Sequence, residues 1–225
     1  MTLTHPSPNF GDRRDRQRPQ LVVLHYTAMR TCDEALARLC DPVAEVSAHY
    51  LIDSDGSVLS LVAEEARAWH AGAGAWGGRG DVNSRSIGVE LANAGDAPFA
   101  NRQMLALERL LHQVLARWAL PPQAVIGHSD MAPDRKGDPG PRFDWRRLAL
   151  GGVSVWPRTA AIPGPGGFAA DLRAFGYPDL PPQTLLTAFR LRFRPWATGP
   201  LDDADRALAA DLAHRFPVDG TPAQA

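Results

Sequence analysis

Apolar residues along the first 156 positions come in short runs separated by polar, glycine- and proline-rich segments. Residues 21–27, LVVLHYT, form a run with enough β-branched content for a buried strand that ends where polar residues begin. Thr31 and Glu34 have capping-box spacing, which predicts a helix from about Cys32 to Cys40. Residues 47–52 and 58–62 flank Asp53-Ser54-Asp55-Gly56-Ser57, a hairpin signature with turn residues at its centre. Residues 86–92 form another strand, with Glu90 near its end. Over residues 101–120 the spacing changes to helical, with Leu107, Leu111 and Leu115 on one stripe, backed by Met104 and Trp118, until Pro121-Pro122 stops it. Ala124-Val125-Ile126 is a short strand, and residues 145–150 a short helical turn. Strands alternating with helices predict an α/β fold, a mixed central β-sheet flanked by helices.

Beyond residue 156 the rhythm is helical only. Phe168, Leu172 and Phe175 make one stripe, Leu185, Phe189 and Phe193 a second, and Leu208, Leu212 and Phe216 a third, with Asp202 placed to cap the last helix. Three such stripes predict a small C-terminal all-α three-helix domain. Fifty or so residues are marginal for independent stability, so docking on the first domain is expected. The chain therefore divides into an N-terminal extended arm (1–20, broken by Pro6, Pro8, Gly11 and Pro19), an α/β domain (21–156), a linker (157–167, three prolines and three glycines), the three-helix domain (168–217) and a tail (218–225).

Composition narrows the class. Across 225 residues, 25 acidic side chains nearly balance 24 basic ones, so no nucleic-acid partner and no anionic membrane surface is indicated. No run approaches the length of a membrane span. Residues 1–18 are polar, with four arginines after residue 12 and no apolar stretch of the kind a secretory signal carries; the expected localisation is cytoplasmic. Cys32 and Cys40, eight apart on one predicted helix, lie about 12 Å apart and cannot form a disulfide.

The chemistry gathers in one loop. After residues 124–126 come Gly127-His128-Ser129-Asp130-Met131-Ala132-Pro133-Asp134-Arg135-Lys136-Gly137-Asp138-Pro139-Gly140, where His128, Lys136 and Asp138 stand close together on irregular backbone. His25 ends an upstream strand. Two strand-end histidines and a loop carboxylate make a three-ligand set with a free fourth position, the way catalytic zinc is held. Lys136 is the only lysine among 23 arginines, and a compact ammonium suits a tight oxyanion pocket better than a planar guanidinium. Between residues 64 and 86 the stretch Trp69-His70-Ala71-Gly72-Ala73-Gly74-Ala75-Trp76-Gly77-Gly78 is too irregular for an element and too aromatic for a linker, so it reads as an ordered loop lining a cleft.

LVVLHYT, SAHYLIDSDG, AWHAG, NSRSIGVELAN and GHSDMAPDRKGDPG, in this order over roughly residues 6–156, resemble the zinc N-acetylmuramoyl-L-alanine amidases of the amidase_2 type, the AmpD/AmiD group, whose fold is shared with peptidoglycan recognition proteins and the T7-type lysozyme amidase. The resemblance implies one Zn2+ per chain, held by His25, His128 and Asp138. It implies Glu90 as general base, Lys136 as oxyanion support, and His70 with Trp69 lining the substrate cleft. His49 is either a buried, hydrogen-bonded residue or one that supports the pocket; Asn83 and Arg85 either touch peptide carboxylates or hold their loop. Asp130 and Asp134 are assigned no ligand role. The C-terminal helices resemble a peptidoglycan-binding-like domain, with a purely structural appendage as the equal alternative. The implied function is hydrolysis of the bond between N-acetylmuramic acid, including its 1,6-anhydro form, and L-alanine of the stem peptide in cell-wall recycling, by a monomer whose partner is a muropeptide or peptidoglycan fragment. The alternatives are a non-catalytic peptidoglycan-recognition module and a broad or lytic amidase acting on intact wall. A zinc peptidase is disfavoured by the lack of an HExxH motif.

Overall fold

In the N-terminal arm, the computed structural model, which describes residues 2–158 and 166–218, has two short strands, β1 (Thr2–Thr4) and β2 (Phe10–Gly11). The arm is thus less irregular than its prolines suggest. They are spaced widely enough to leave three residues free for pairing, and Arg13 behind them is buried, its guanidinium donating to the carbonyls of Glu64, Ser84 and Ser86. Next come β3 (Leu21–Tyr26) and α1 (Cys32–Cys40), the helix opened by the Thr31/Glu34 capping box. The hairpin β4 (Tyr50–Ile52) and β5 (Val58–Ser60) precedes the short β6 (Arg67–Ala68) and then β7 (Ser86–Leu91). The long helix α2 (Asn101–Trp118), β8 (Val125–Gly127), the single turn α3 (His128–Met131) and α4 (Trp145–Leu150) complete this part. The three C-terminal helices are α5 (Gly167–Phe175), α6 (Pro182–Phe193) and α7 (Asp203–Arg215), the last capped by Asp202.

The main sheet has the order β1-β5-β4-β7-β3-β8, with β4–β5 antiparallel and the other pairs parallel; β2 and β6 form a separate antiparallel pair. Alternation along each strand sends side chains to two faces. Val22, Leu24, Ile87 and Val89 pack against Leu107 and Leu111 of α2 and Trp145 and Leu148 of α4. Leu21, Val23 and Ile126 join one apolar cluster with Phe168, Leu172, Phe189 and Leu212, so the three C-terminal helices cover the opposite face. Most of the 157–167 linker and the 218–225 tail lies outside the described residues. Cys32 and Cys40 are free thiols. Among the described residues no helix is long and apolar enough to cross a membrane.

The register decides where chemistry can occur. Leu21 pairs with Ser86, Val23 with Gly88 and His25 with Glu90. His25 and Glu90 are therefore neighbours near the carboxyl ends of two central parallel strands, and β8 delivers His128 to the same end one residue after it stops. Carboxyl ends of parallel strands are where α/β sheets bind ligands.

Candidate active site

Three donor atoms converge at that end of the sheet. His25 Nδ1 lies 2.9 Å from His128 Nδ1 and 2.9 Å from Asp138 Oδ2, and His128 Nδ1 is 3.0 Å from the same oxygen. Local structure aims each of them. His25 projects from β3, His128 opens the turn α3, and Asp138 is brought back when its carbonyl accepts the Ser129 N–H at 2.9 Å. The donor chemistry fits a divalent cation. His128 Nε2 faces the carbonyl oxygen of Ala71 at 2.9 Å and must carry the ring proton there. Its Nδ1 therefore turns a lone pair toward the Asp138 carboxylate, and two buried acceptors at that distance call for a cation between them. His25, His128 and Asp138 can thus hold a metal ion.

Burial, followed by the neighbouring His128, lowers the His25 pKa to about 4, so the ring is neutral at physiological pH. Burial alone would raise Asp138, but its place against the two imidazoles of His128 and His25 holds its carboxyl well below the usual range. Glu90 sits beside this corner, half-buried. Burial and the nearby Asp138 charge push its pKa up to about 8, with Lys136 pulling the other way, and Glu90 Oε2 has no hydrogen-bond partner among the described residues. Lys136 is exposed at the rim of a cleft of about 420 Å³. That cleft is lined by His25, Tyr26, Trp69, His70, Glu90 and Lys136 together with His128 and Asp138. A carboxyl group whose pKa is shifted toward neutrality, a cation site and an ammonium on one cleft can activate water, take its proton and support a developing oxyanion.

The remaining candidates divide. Trp69 and His70 line the cleft, and the His70 ring also reaches behind His25, its Nδ1 3.0 Å from His25 Nε2. His49 is fully buried: its Nδ1 accepts the Gly88 N–H at 2.9 Å, its Nε2 faces the Ala66 carbonyl, and burial lowers its pKa to about 3. Asn83 Oδ1 accepts the N–H groups of His70 and Ala71 at 3.1 and 2.8 Å and so anchors the AWHAG loop. The Arg85 guanidinium is held by the carbonyls of Trp76 and Arg79 and borders a different cavity. His49, Asn83 and Arg85 therefore stand outside the cleft lining, because their polar atoms are committed to backbone groups inside the fold. Two further residues matter here. Arg135 donates to the Ala71 and Ala73 carbonyls and ties the metal loop to the AWHAG loop, and Ser86 contacts His70 Nε2 at 3.2 Å. Only the alternation Ser86–Gly88–Glu90 within SIGVEL hinted that Ser86 shares the face of Glu90.

A mixed sheet carrying a three-donor cation corner, a carboxyl group and an ammonium at its strand ends defines the class, a hydrolytic enzyme of the amidase kind. Residues 15–141 match the family model for N-acetylmuramoyl-L-alanine amidase, Amidase_2, and the chain belongs to that family. N-acetylmuramoyl-L-alanine amidase AmiD of Escherichia coli (strain K12) is 35% identical over 90% of this chain and 85% of its own length. 1,6-Anhydro-N-acetylmuramyl-L-alanine amidase AmpD of Citrobacter freundii is 33% identical over 64% of this chain and 86% of its own. The solved complex of Escherichia coli AmiD with the substrate anhydro-N-acetylmuramic acid-L-Ala-D-gamma-Glu-L-Lys superposes with a TM-score of 0.80 at 34% identity, covering 91% of this chain and 92% of that one. AmpDh3 of Pseudomonas aeruginosa in complex with anhydromuramic pentapeptide gives 0.79 at 30% identity, covering 95% and 96%.

Proposed function

We propose that this amidase hydrolyses the amide bond between N-acetylmuramic acid, its 1,6-anhydro form included, and L-alanine of a peptidoglycan stem peptide, with Zn2+ held by His25, His128 and Asp138, as a cytoplasmic step of cell-wall recycling. The observation that carries the reading is the pairing of His25 with Glu90 across adjacent strands, which sets a carboxyl group beside the cation corner inside one cleft with Lys136. The AmiD and AmpDh3 complexes with anhydromuramyl peptides support the substrate class.

Bound there, Zn2+ would supply Lewis acidity toward the scissile carbonyl and hydroxide at neutral pH. Glu90 takes the proton of the attacking water as the O–C bond forms, and returns it to the amine nitrogen as the C–N bond breaks. Lys136 donates to the oxyanion of the tetrahedral intermediate. Trp69 offers an apolar face at the cleft wall, which suits the sugar. On this reading residues 21–156 carry the chemistry and residues 168–217 form the three-helix unit packed on the sheet.

The test is product analysis by mass spectrometry on anhydro-muropeptide and its non-anhydro counterpart, with and without chelator, for wild type and Glu90→Ala. Free stem peptide beginning at L-alanine is expected, lost with chelator and reduced about 10²–10⁴-fold in Glu90→Ala. Intact substrate with bound zinc would instead make the chain a recognition module, and cleavage inside the peptide would move the scissile bond.

A further inference from the structure

His70 lies where a lining residue is expected, yet its two ring nitrogens face inward rather than toward the cleft. Nδ1 is 3.0 Å from His25 Nε2, and Nε2 is 3.2 Å from Ser86 Oγ. The proton positions in this chain follow from its far end. Ser86 is fully buried, and its hydroxyl donates to the Val82 carbonyl at 2.6 Å. That hydrogen is committed, so toward His70 the Ser86 oxygen can only accept, and His70 Nε2 must carry the ring proton. A neutral imidazole has one such proton, which leaves His70 Nδ1 as an acceptor. His25 Nε2, facing it, must therefore be the N–H of its own ring, and the lone pair of His25 falls on Nδ1, the atom that faces His128 and Asp138.

The rest of the fold holds the relay in place. A Cβ on Gly88, between Ser86 and Glu90 on the same face of β7, would come within 2.4 Å of the His70 ring, so the ring occupies the space that the missing side chain leaves. Asn83 fixes the His70 backbone from the other side through the bond to its N–H. The imidazole is thus clamped between a strand that lacks a side chain and a loop anchored by an amide.

We propose that His70 is a positioning residue for His25: with Ser86 it forms a relay running from the Val82 carbonyl that locks His25 as the Nε2–H tautomer and presents its Nδ1 lone pair to the metal corner. The assignment rests on the metal reading of His25, His128 and Asp138. It differs from a substrate-contact role because it predicts a change in metal affinity with no substrate present. A partner that orients a ligating histidine is worth roughly 10–100-fold in affinity.

The experiment titrates Zn2+ into metal-free protein against a chromophoric chelator, for wild type, His70→Ala, His70→Asn and Ser86→Ala. Each metal-free form is melted separately to report folding. His70→Ala should bind Zn2+ about 10–100-fold more weakly. His70→Asn keeps an acceptor oxygen near the Nδ1 position and should recover most of that loss, while Ser86→Ala, which leaves the His70 tautomer unset, should fall between wild type and His70→Ala. The nitrogen chemical shifts of metal-free wild type at pH 8 should show both His25 and His70 as Nε2–H tautomers. Wild-type affinity in a folded His70→Ala, an Asn variant no better than Ala, or a His25 Nδ1–H tautomer would each overturn the relay. Failure of wild type to bind Zn2+ would instead remove the metal reading beneath it.

Discussion

Two buried polar clusters lie on either side of the turn α3, and they are built on opposite principles. One is His25, His128 and Asp138, exposed by 1%, 3% and 8%. The other is Asp130, Tyr177 and Arg192, exposed by 0%, 2% and 2%. In the second, donors meet acceptors around the carboxylate, although Arg192 Nε is left without a partner among the described residues. Asp130 accepts the Gly127 N–H at 2.7 Å, the Arg192 guanidinium at 2.6 Å and the Tyr177 hydroxyl, while Arg192 also reaches the Val125 carbonyl and stacks 4.1 Å above the Trp145 ring. The charges cancel, and α6 is tied to the turn that carries His128. In the first cluster lone pairs meet lone pairs, and a net negative charge sits out of water with no compensating donor at its centre. At equal burial, the matched cluster holds the fold together and the mismatched one can hold a metal ion. Burying unmatched acceptors is costly, and a bound ion offsets that cost.

The comparison is broken most severely by Asp138→Ala. Removing the one charged donor should lower amidase activity on the order of a thousandfold or more and abolish tight Zn2+ binding, while the metal-free protein melts close to wild type. Assayed turnover and chelator competition check the first half, calorimetry the second. Arg192→Met should do the reverse. It strands the Asp130 carboxylate, costs about 3–5 kcal/mol of folding stability in denaturant titrations, and leaves both strand-borne residues, His25 and Glu90, in place. If its stability loss were small and its Zn2+ loss large, the two clusters would not be separable in the way described.

The smallest effect is the shape of stability against pH in metal-free protein, and it sharpens the contrast. Burial holds His25 near a pKa of about 4 and His49 near about 3, and His70 well below the ordinary 6.5. Below about 6.5 the unfolded chain binds protons at these rings that the folded chain does not, so stability is complete above that pH and falls as pH drops toward 4. Tyr177 is shifted the other way, well above 10, by burial and the Asp130 charge, so its contribution is complete below about 10 and is lost as pH rises further. Melting temperatures from pH 4 to 11 should show both limbs, and Tyr177→Phe should shrink the alkaline one, to which buried Tyr50 and half-buried Cys32 also contribute, and leave the acid one unchanged.

The structure bears out much that was legible beforehand. The amphipathic helix ended by two prolines, the hairpin around Gly56, the Thr31/Glu34 capping box, the Asp202 cap and the three apolar stripes are local patterns, and periods of two and 3.6 residues are written in neighbouring positions. The approach of His128 to Asp138 was partly legible too, since both lie within one short proline- and glycine-rich loop, and the structure brings them to 3.0 Å. The arm was harder: prolines counted one by one do not reveal that Thr2–Thr4 adds to a sheet edge more than fifty residues away.

Local pattern alone thus wrote the helices and the longer strands, the apolar faces and the residue types able to hold a cation. Which polar groups meet was left to strand pairing and packing. His25 stands beside Glu90 because β3 and β7 pair in that register, and a shift of one residue would send every one of these side chains to the other face. Arg192 finds Asp130 across 62 positions, His70 settles behind His25 across 45, and His49, Asn83 and Arg85 bond inward to backbone groups. A polar side chain looks the same in sequence whether it will face substrate, a ligand's second nitrogen or a carbonyl, because its partner is chosen by packing after the strands have paired.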